Sequence, residues 1–550
     1  MSDSNIPTIK VLIKPQFDSN GHIKGLSISI TIQSPQLQTS STLVYFLIAT
    51  KRTLFQSYVN SLKAMDEEGP LPMEFEDEGK RCTAKRSTSG DVKLSYEVVP
   101  LPANTAVSPL DLRCDQGGIL GPGLSFMPKL QSTKVYRNIV EWELSEAREG
   151  TRAVWTFGEG PAPVEKVGLA SILSDSVYMV GPIHSNHPTR SLGKSSDYYG
   201  YYWFGDLPPN IEVIKNIHHD FFVKVSNFFQ DPPSASNPYR SFVRSTSFAK
   251  SFDGTNYTRS HIFDYDDQIS VAHDYDLIRR MAYEIVHNFL GPSVTDPDIN
   301  WLFDGIKNTL SIYLPFRTGF RTPDYFQHTM AMHCMKYYTN PLIRLTHEEA
   351  LELAPTNASA RELVSARAWA FVILTDFRTR KVAEEKRPDL MPRPMEDMAV
   401  KPLALKRRNM EPCGIEKWIE LLEPLIGQEA RELYEHMKSG SKIVLPEKFF
   451  GPKTHHMKTI QQEMLDFGMD RQSFEDGVVT GLREASRAAK AGLREGDTII
   501  RSSPVWKCVD TFDAEMEIAI SRDGVEKTVV YWPRSIEKVE CLKFEKIDEY

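Results

Sequence analysis

The sequence predicts a multidomain α+β protein, with an N-terminal antiparallel β domain, a mainly helical second domain and a small C-terminal domain. The length of 550 residues suits several domains, since a domain takes roughly 100 to 200 residues. Short alternating apolar runs fill the N-terminal part, and long helical patterns begin near Asp274. The helical pattern breaks again between Gly451 and His456, where we place the last domain junction.

The N-terminal region alternates apolar and polar residues with a period of two. The clearest runs are residues 9–13, 26–32 and 140–144, and turn residues separate them. Such alternation is typical of half-buried antiparallel strands. We therefore assign residues 1–170 to a β-sandwich-like domain.

Apolar residues in the middle of the chain recur at helical spacing. The pattern predicts helices at residues 274–290, 301–314, 323–338, 347–353, 360–380 and 416–438. We assign residues 171–452 to this mainly helical second domain.

Composition and charge exclude several classes of function. The sequence has no apolar run near the roughly 20 residues that a membrane span requires. The formal net charge is -8, and no basic stretch is longer than residues 406–408, so we expect neither nucleic acid nor membrane as a partner. The start lacks the pattern of a secretory signal, and the six scattered cysteines suit reduced thiols, so we expect a cytoplasmic protein.

The C-terminal region contains a dense set of local constraints between Gly477 and Ile500. A strand, a short helix of small residues, a glycine and a Gly-Asp turn follow one another, and this order resembles a PDZ domain at residues 457–540. The resemblance implies that a peptide could add a strand beside a helix. The loop for a terminal carboxylate would be residues 465–469, and it carries the acidic Asp466. A peptide-binding domain and a purely structural one both stay open.

One stretch of the second domain carries half of a zinc-peptidase motif. Such a motif needs two histidines four residues apart on a helix, a glutamate after the first, and a later carboxylate as third ligand. This chain has Tyr283, Glu284 and His287 at the helix positions, and Asp304 where the second helix would supply glutamate. One histidine is therefore replaced by tyrosine.

The order of the three domains resembles the glycyl aminopeptidase family of zinc peptidases, whose catalytic domain is thermolysin-like. In that alignment the segment Gly254 to Ser260 matches the family segment that binds the substrate amino group. Asn256 replaces its glutamate, and Thr255 and Tyr257 would line the substrate site. Ser365 stands where the family has a tyrosine that stabilises the oxyanion.

Three functions follow from these residues. The first is a metal-independent acid/base enzyme that hydrolyses, isomerises or cyclises a small molecule, with Tyr283 and His287 cooperating and Asp304 orienting the imidazole. The second is a zinc aminopeptidase that recruits His261 or His273 as a non-standard ligand. The third is an inactive pseudopeptidase that binds peptides through its PDZ-like domain. We expect the first, with no cofactor and a small-molecule substrate, and we do not expect ordinary aminopeptidase activity.

Overall fold

The computed structural model describes residues 6–46, 60–76, 81–102, 108–186, 198–246, 252–291, 297–386, 392–446, 449 and 455–546. The chain divides into two compact units, residues 1–288 and residues 289–550. Each unit is described by itself. Within the described residues, no helix has the length and apolar character that crossing a membrane requires.

The described part of the first unit is built mainly from strands. They are β1 (Thr8–Phe17), β2 (Ile23–Ile32), β3 (Thr42–Tyr45), β4 (Lys63–Asp66), β5 (Gly69–Pro70), β6 (Met73–Glu76), β7 (Arg81–Ala84), β8 (Val92–Val98), β9 (Leu101–Pro102), β10 (Arg113–Asp115), β11 (Gly118–Pro122), β12 (Lys129–Leu130), β13 (Val135–Trp142), β14 (Arg152–Trp155), β15 (Gly158–Glu159), β16 (Val164–Leu169), β17 (Val177–Gly181), β18 (Ile183–Asn186), β19 (Tyr199–Phe204), β20 (Tyr239–Ser245), β21 (Phe252–Tyr257) and β22 (Ser260–Tyr265). Two helices belong to this region, α1 (Pro209–Phe228) and α2 (Asp274–Leu290).

These strands pair into sheets in the orders β16-β13-β1-β2-β8-β4-β5, β15-β14-β17-β11-β10-β9, β12-β3-β7-β6 and β18-β19-β20-β22-β21. The predicted alternation is confirmed in β1, where Ile9, Val11 and Ile13 are fully buried. The predicted antiparallel pairing joins β1 to β2, whereas β1 pairs in parallel with β13. Hairpin turns force antiparallel pairing only between strands that follow one another, and these two lie far apart in the chain.

The core of this β region continues past residue 170, the predicted end of the first domain. Leu173, Tyr178 and Val180 belong to the same apolar cluster as the residues of β1 and β2. Strand β17 also pairs with β11 and β14. The proposed three-domain division stays a prediction.

The second unit begins with a helical region. Its helices are α3 (Pro297–Arg317), α4 (Pro323–Tyr338), α5 (His347–Leu353), α6 (Ala358–Lys386), a π-helix (Glu396–Val400), α7 (Lys401–Arg408), α8 (Ile415–Ile426) and α9 (Glu429–Lys438). Helix α5 begins at a complete capping box formed by Thr346 and Glu349. The single helix predicted at residues 416–438 is instead two helices, because Gly427 takes a left-handed φ of 61° and ends α8.

Residues 455–546 form the last part of the second unit, which we call the C-terminal module. Strands β23 (His455–Leu465) and β27 (Arg534–Lys546) make a long antiparallel ribbon, and β24 (Thr498–Ser502), β25 (Met516–Arg522) and β26 (Val525–Tyr531) make a sheet. Three short helices complete it: α10 (Ser473–Asp476), α11 (Arg487–Lys490) and α12 (Val505–Asp510). Strand β27 packs against helix α4 of the helical region. The predicted junction at residues 451–456 lies largely outside the described residues.

Candidate functional site

Helix α2 places Glu284 against strand β21. Asn256 of that strand donates its side-chain amide to Glu284 Oε2, and Glu284 is only 1% exposed. The contact is possible because residue 254 is glycine, since a Cβ there would lie 2.8 Å from the Glu284 side chain. Of the predicted residues, the first unit therefore brings Asn256 and Glu284 together.

Arg280, one turn before Glu284 on the same helix, neutralises this carboxylate. Its Nη2 atom lies 2.8 Å from Glu284 Oε1, 2.5 Å from Asp253 Oδ1 and 2.7 Å from the carbonyl oxygen of Gly254. Burial opposes the charge on Arg280, but Glu284 and Asp253 outweigh it and raise its pKa above the ordinary value. Glu284 is thus held in an ion pair. Arg280 was not among the predicted site residues, although the i, i+4 spacing of these two residues is a signal for it.

Tyr283 and His287 lie one turn apart on α2, and both are half-buried. The Arg280 guanidinium sits 5.3 Å from the centre of the Tyr283 ring. Next to His287, Asn288 donates to Asn256 Oδ1 at 3.1 Å and to the carbonyl oxygen of Ser260 at 2.8 Å. Asn288 therefore fixes the rotation of the helix relative to the strands, and it is a second residue that was not predicted from the sequence.

The other two residues predicted to line the substrate site in this unit do not share the position of Asn256. Side chains alternate along a strand, so Thr255 and Tyr257 point away from the face that carries Asn256. Tyr257 belongs to an apolar core cluster and is 5% exposed. Burial raises its pKa above the ordinary range, so its phenol stays protonated.

Asp304 and Ser365 belong to the second unit. Lys307 Nζ lies 2.7 Å from Asp304 Oδ1, and the Lys307 side chain is 8% exposed while that of Asp304 is 47% exposed. Ser365 on α6 accepts a hydrogen bond from Asn308 of α3 at 3.1 Å. The carboxylate at the third-ligand position is therefore also paired with a cation, at the i, i+3 spacing that a helix makes favourable.

The two histidines considered as alternative metal ligands differ in burial. His261 is 2% exposed, and its Nδ1 atom lies 3.0 Å from the Tyr239 hydroxyl. Its ring stacks on that of His218 at 5.3 Å. Burial, followed by the charge of Arg280, lowers the His261 pKa to about 3, so the ring is neutral at physiological pH. His273 is exposed.

The side chains at the motif positions can be compared with the ligands that a zinc ion requires. Across the described residues, no group of three or more histidine, cysteine, aspartate or glutamate side chains is arranged to hold a metal. At the helix positions of the motif, the phenol of Tyr283 and the paired carboxylate of Glu284 accompany one imidazole, His287. These residues do not fit the tetrahedral nitrogen and oxygen set that zinc prefers.

Comparison with solved structures finds similar folds at low sequence identity. An aminopeptidase N family protein from Idiomarina loihiensis is 13% identical, with 98% of each chain covered and a TM-score of 0.66. An M1 zinc metallopeptidase variant from Deinococcus radiodurans is 12% identical over 80% of this chain and 95% of that chain, with a TM-score of 0.48. Leukotriene A4 hydrolase from Saccharomyces cerevisiae is 12% identical over 80% of this chain and 68% of that chain, with a TM-score of 0.46.

Searches against protein-family models and against curated protein sequences found no match. The likeness in fold extends over nearly the whole chain in the Idiomarina protein. The chain therefore has a peptidase fold of the aminopeptidase N type.

Proposed function

We propose that the protein is a metal-independent enzyme with a peptidase fold, in which Tyr283 and His287 perform acid/base chemistry on a small molecule. Hydrolysis, isomerisation and cyclisation are the reaction types we consider. The observation that carries the proposal is the ion pair between Arg280 and Glu284. Within the peptidase fold, we further propose the glycyl aminopeptidase family as the origin of the chain, on the resemblance of its domain order and motif positions.

The ion pair supports metal independence through charge. In a zinc peptidase, the glutamate of the motif activates water beside the metal. Here Arg280 already supplies a positive charge at 2.8 Å from Glu284, and a second cation placed beside it would be repelled. Asn256 donates to the other carboxylate oxygen, so Glu284 is poorly placed to accept a proton from water. We therefore give Glu284 a positioning role.

Tyr283 and His287 are the groups to which we assign proton transfer. Residues four apart on a helix lie on one face, with Cβ atoms roughly 5 to 6 Å apart, so both side chains can reach one ligand. A neutral imidazole accepts a proton, and a phenol donates a hydrogen bond to developing negative charge. Positioned groups of this kind accelerate a reaction by roughly 10² to 10⁴. Because Asp304 is paired with Lys307, we assign it no role in orienting the imidazole.

A ring-opening reporter tests the proposed base directly. In 5-nitrobenzisoxazole, a base removes the ring C–H proton while the N–O bond breaks, and the coloured phenolate forms without a metal. We expect the protein to accelerate this reaction and His287→Ala to lower the rate by about 10². His22→Ala is the matched control, since the side chain of His22 is 62% exposed, and its rate should stay unchanged. An unchanged reaction rate in His287→Ala would contradict the assignment of His287 as the base.

Metal content gives an independent test. We expect purified protein to hold well under one zinc per chain, and chelation to leave both the melting temperature and the reporter rate unchanged, because the helix offers one good nitrogen ligand. Stoichiometric, tightly held zinc measured by elemental analysis would overturn metal independence. Hydrolysis of glycyl-p-nitroanilide at peptidase rates would do the same.

A non-catalytic peptidase-like protein is the second candidate. It is favoured by the second ion pair, between Lys307 and Asp304, because a site that needs no chemistry can pair all of its carboxylates. The two candidates differ in how His287→Ala behaves. A catalytic role predicts lost rate with an intact fold, whereas a packing role predicts a loss of roughly 1 to 3 kcal/mol in unfolding free energy.

A further inference from the structure

We propose that the loop and helix of the C-terminal module that would receive a peptide are instead a docking surface for the protein's own helices α4 and α6. In the loop that the PDZ resemblance assigns to a terminal carboxylate, the side chain of Asp466 already accepts hydrogen bonds. Three independent features of the second unit support this inference: the hydrogen bonds of the loop, the structure of the segment that follows it, and the ion pairs that the loop and helix α12 make.

The Gly468 N–H of the loop is already hydrogen-bonded to a side chain of the same loop. Asp466 Oδ1 accepts the backbone N–H of Gly468 at 2.8 Å, the type of donor that a terminal carboxylate needs. Arg483 donates its guanidinium to the same oxygen and its backbone N–H to the Gly468 carbonyl oxygen at 2.8 Å. The Gly468 N–H is therefore already bonded to a carboxylate that has its own counter-ion.

The segment after the loop offers no strand to which a peptide could pair. Addition of a peptide to a sheet requires an exposed strand edge. Residues 466–477 are all described and contain no strand, and Ser473–Asp476 form the short helix α10. The first β-bridge after the loop is at Val478, which pairs with Thr498.

The loop and helix α12, the two sides of the predicted peptide-binding groove, both make ion pairs with the helical region. Arg471, just after the loop, pairs with Glu362 of α6, and Asp510, at the end of α12, pairs with Lys336 of α4. Phe467 of the loop and Cys508 of α12 belong to one apolar core, so the loop and α12 are packed together. The charges are complementary across the contact, with a cation and an anion on each side.

Thiol labelling of the full chain can test the docking. Cys334 on α4 and Cys541 on β27 lie on two packed elements and are 0% and 1% exposed. Burial raises the pKa of both thiols, which slows their reaction further. Labelling with N-ethylmaleimide, followed by mass spectrometry of each cysteine peptide, therefore reports how often the module lifts away. Cys82 in the N-terminal core and Cys413 in the helical region, which is 6% exposed, monitor unfolding of the two units.

We expect the variant Glu362→Arg with Lys336→Glu to label at Cys334 and Cys541 about tenfold faster than the unmodified protein, because two attractive contacts become repulsive. Adding Arg471→Glu and Asp510→Lys should restore slow labelling. Lys538→Gln, which removes an ion pair within the β23–β27 ribbon, should change nothing. Unchanged rates in the first variant, or an equal increase at Cys82 or Cys413, would overturn the docking.

A peptide measurement tests the filled loop. The probe is a fluorescein-labelled hexapeptide that ends in a free C-terminal valine, compared with its amidated twin by fluorescence anisotropy. We expect the unmodified protein to bind the two peptides equally weakly, within about threefold, since Asp466 already satisfies Gly468. A preference of more than about tenfold for the free carboxylate would overturn the proposal.

Discussion

Helix α2 and the C-terminal loop each contain an ion pair, and the two ion pairs lie in different surroundings. On helix α2, Arg280 brings a positive charge to Glu284, and in the C-terminal loop Asp466 brings a negative charge to Gly468 and Arg483. Both are positions where a resemblance to known proteins suggests an external ligand. At each position, a side chain of the protein itself contacts the donors or acceptors that such a ligand would contact.

The two regions differ in burial, and this difference sets their energetics. The side chains of Glu284 and Arg280 are 2% and 26% exposed, whereas those of Asp466 and Arg483 are 24% and 55% exposed. Breaking a buried ion pair leaves an uncompensated charge away from water, which costs several times more than breaking an exposed pair. An internal ion pair is therefore a strong structural constraint at helix α2 and a weak one at the loop.

The largest expected effect comes from removing the cation on helix α2. Arg280→Met leaves Glu284 and Asp253 facing each other, and we expect a loss of about 3 to 5 kcal/mol in unfolding free energy, measured by urea denaturation. The double variant Arg280→Met with Glu284→Leu is the control, because it removes both charges, and it should recover most of the loss. A single variant as stable as the unmodified protein would show that the pair is not a structural constraint.

Acid should destabilise the first region through His261. Its folded pKa of about 3 lies below the unfolded value of about 6.5, so between these values the unfolded chain binds more protons and stability falls as pH falls. We expect a loss of about 2 kcal/mol between pH 6.5 and pH 5.

The control for this prediction is a substitution that removes the titration. His261→Gln should weaken the dependence of unfolding free energy on pH, while the exposed His22→Gln should leave it as it is. The same pH dependence in His261→Gln and in the unmodified protein would exclude His261 as its source.

A smaller effect is expected at Gly254. In Gly254→Ala the new Cβ would lie 2.8 Å from the Glu284 side chain, so that side chain or the strand must shift. We expect a loss of about 1 to 3 kcal/mol in unfolding free energy. Gly414→Ala is the matched control, because a Cβ at that glycine meets no atom within 4 Å. Equal stability of the two variants would show that strand β21 can move away from the helix freely.

The smallest effect belongs to the exposed loop. Arg483→Gln removes the partner of Asp466, and we expect a change of less than about 1 kcal/mol in unfolding free energy because water screens the pair. Differential scanning calorimetry of this variant beside Arg280→Met measures the contrast directly. A loss as large as that of Arg280→Met would mean that burial does not separate the two regions.

Much of the helical architecture could be predicted because its signals are local. The predicted bounds of α2, α4 and α5 agree with those observed, and the Thr346 capping box marks the start of α5. The tyrosine at position 283, where the zinc-peptidase pattern would have a histidine, is likewise visible in the sequence alone. The predicted helix over residues 416–438 failed because Gly427, a single residue, reverses the backbone there.

The site was predicted only in part, since its key contacts join distant segments. Positions 279 and 280 are both arginine, and the i, i+4 spacing favours Arg280 as the partner of Glu284. The spacing does not reveal that Asp253 joins the same guanidinium, nor that the carboxylate is buried. Those facts depend on strand β21 approaching helix α2 at Gly254.

The sequence by itself indicated many elements of this protein, among them helices α2, α4 and α5 and the alternation of strand β1, and it shows a tyrosine at position 283. Hydrogen bonds within a helix and the periodic burial of apolar residues act over a few positions, so the local order of residues suffices for them. Only the tertiary structure decided that β1 pairs in parallel with β13, that Glu284 is a buried member of an ion pair, and that Arg471 and Asp510 face the helical region. These features depend on which distant surfaces fit together, and that choice is made by the packing of the whole chain.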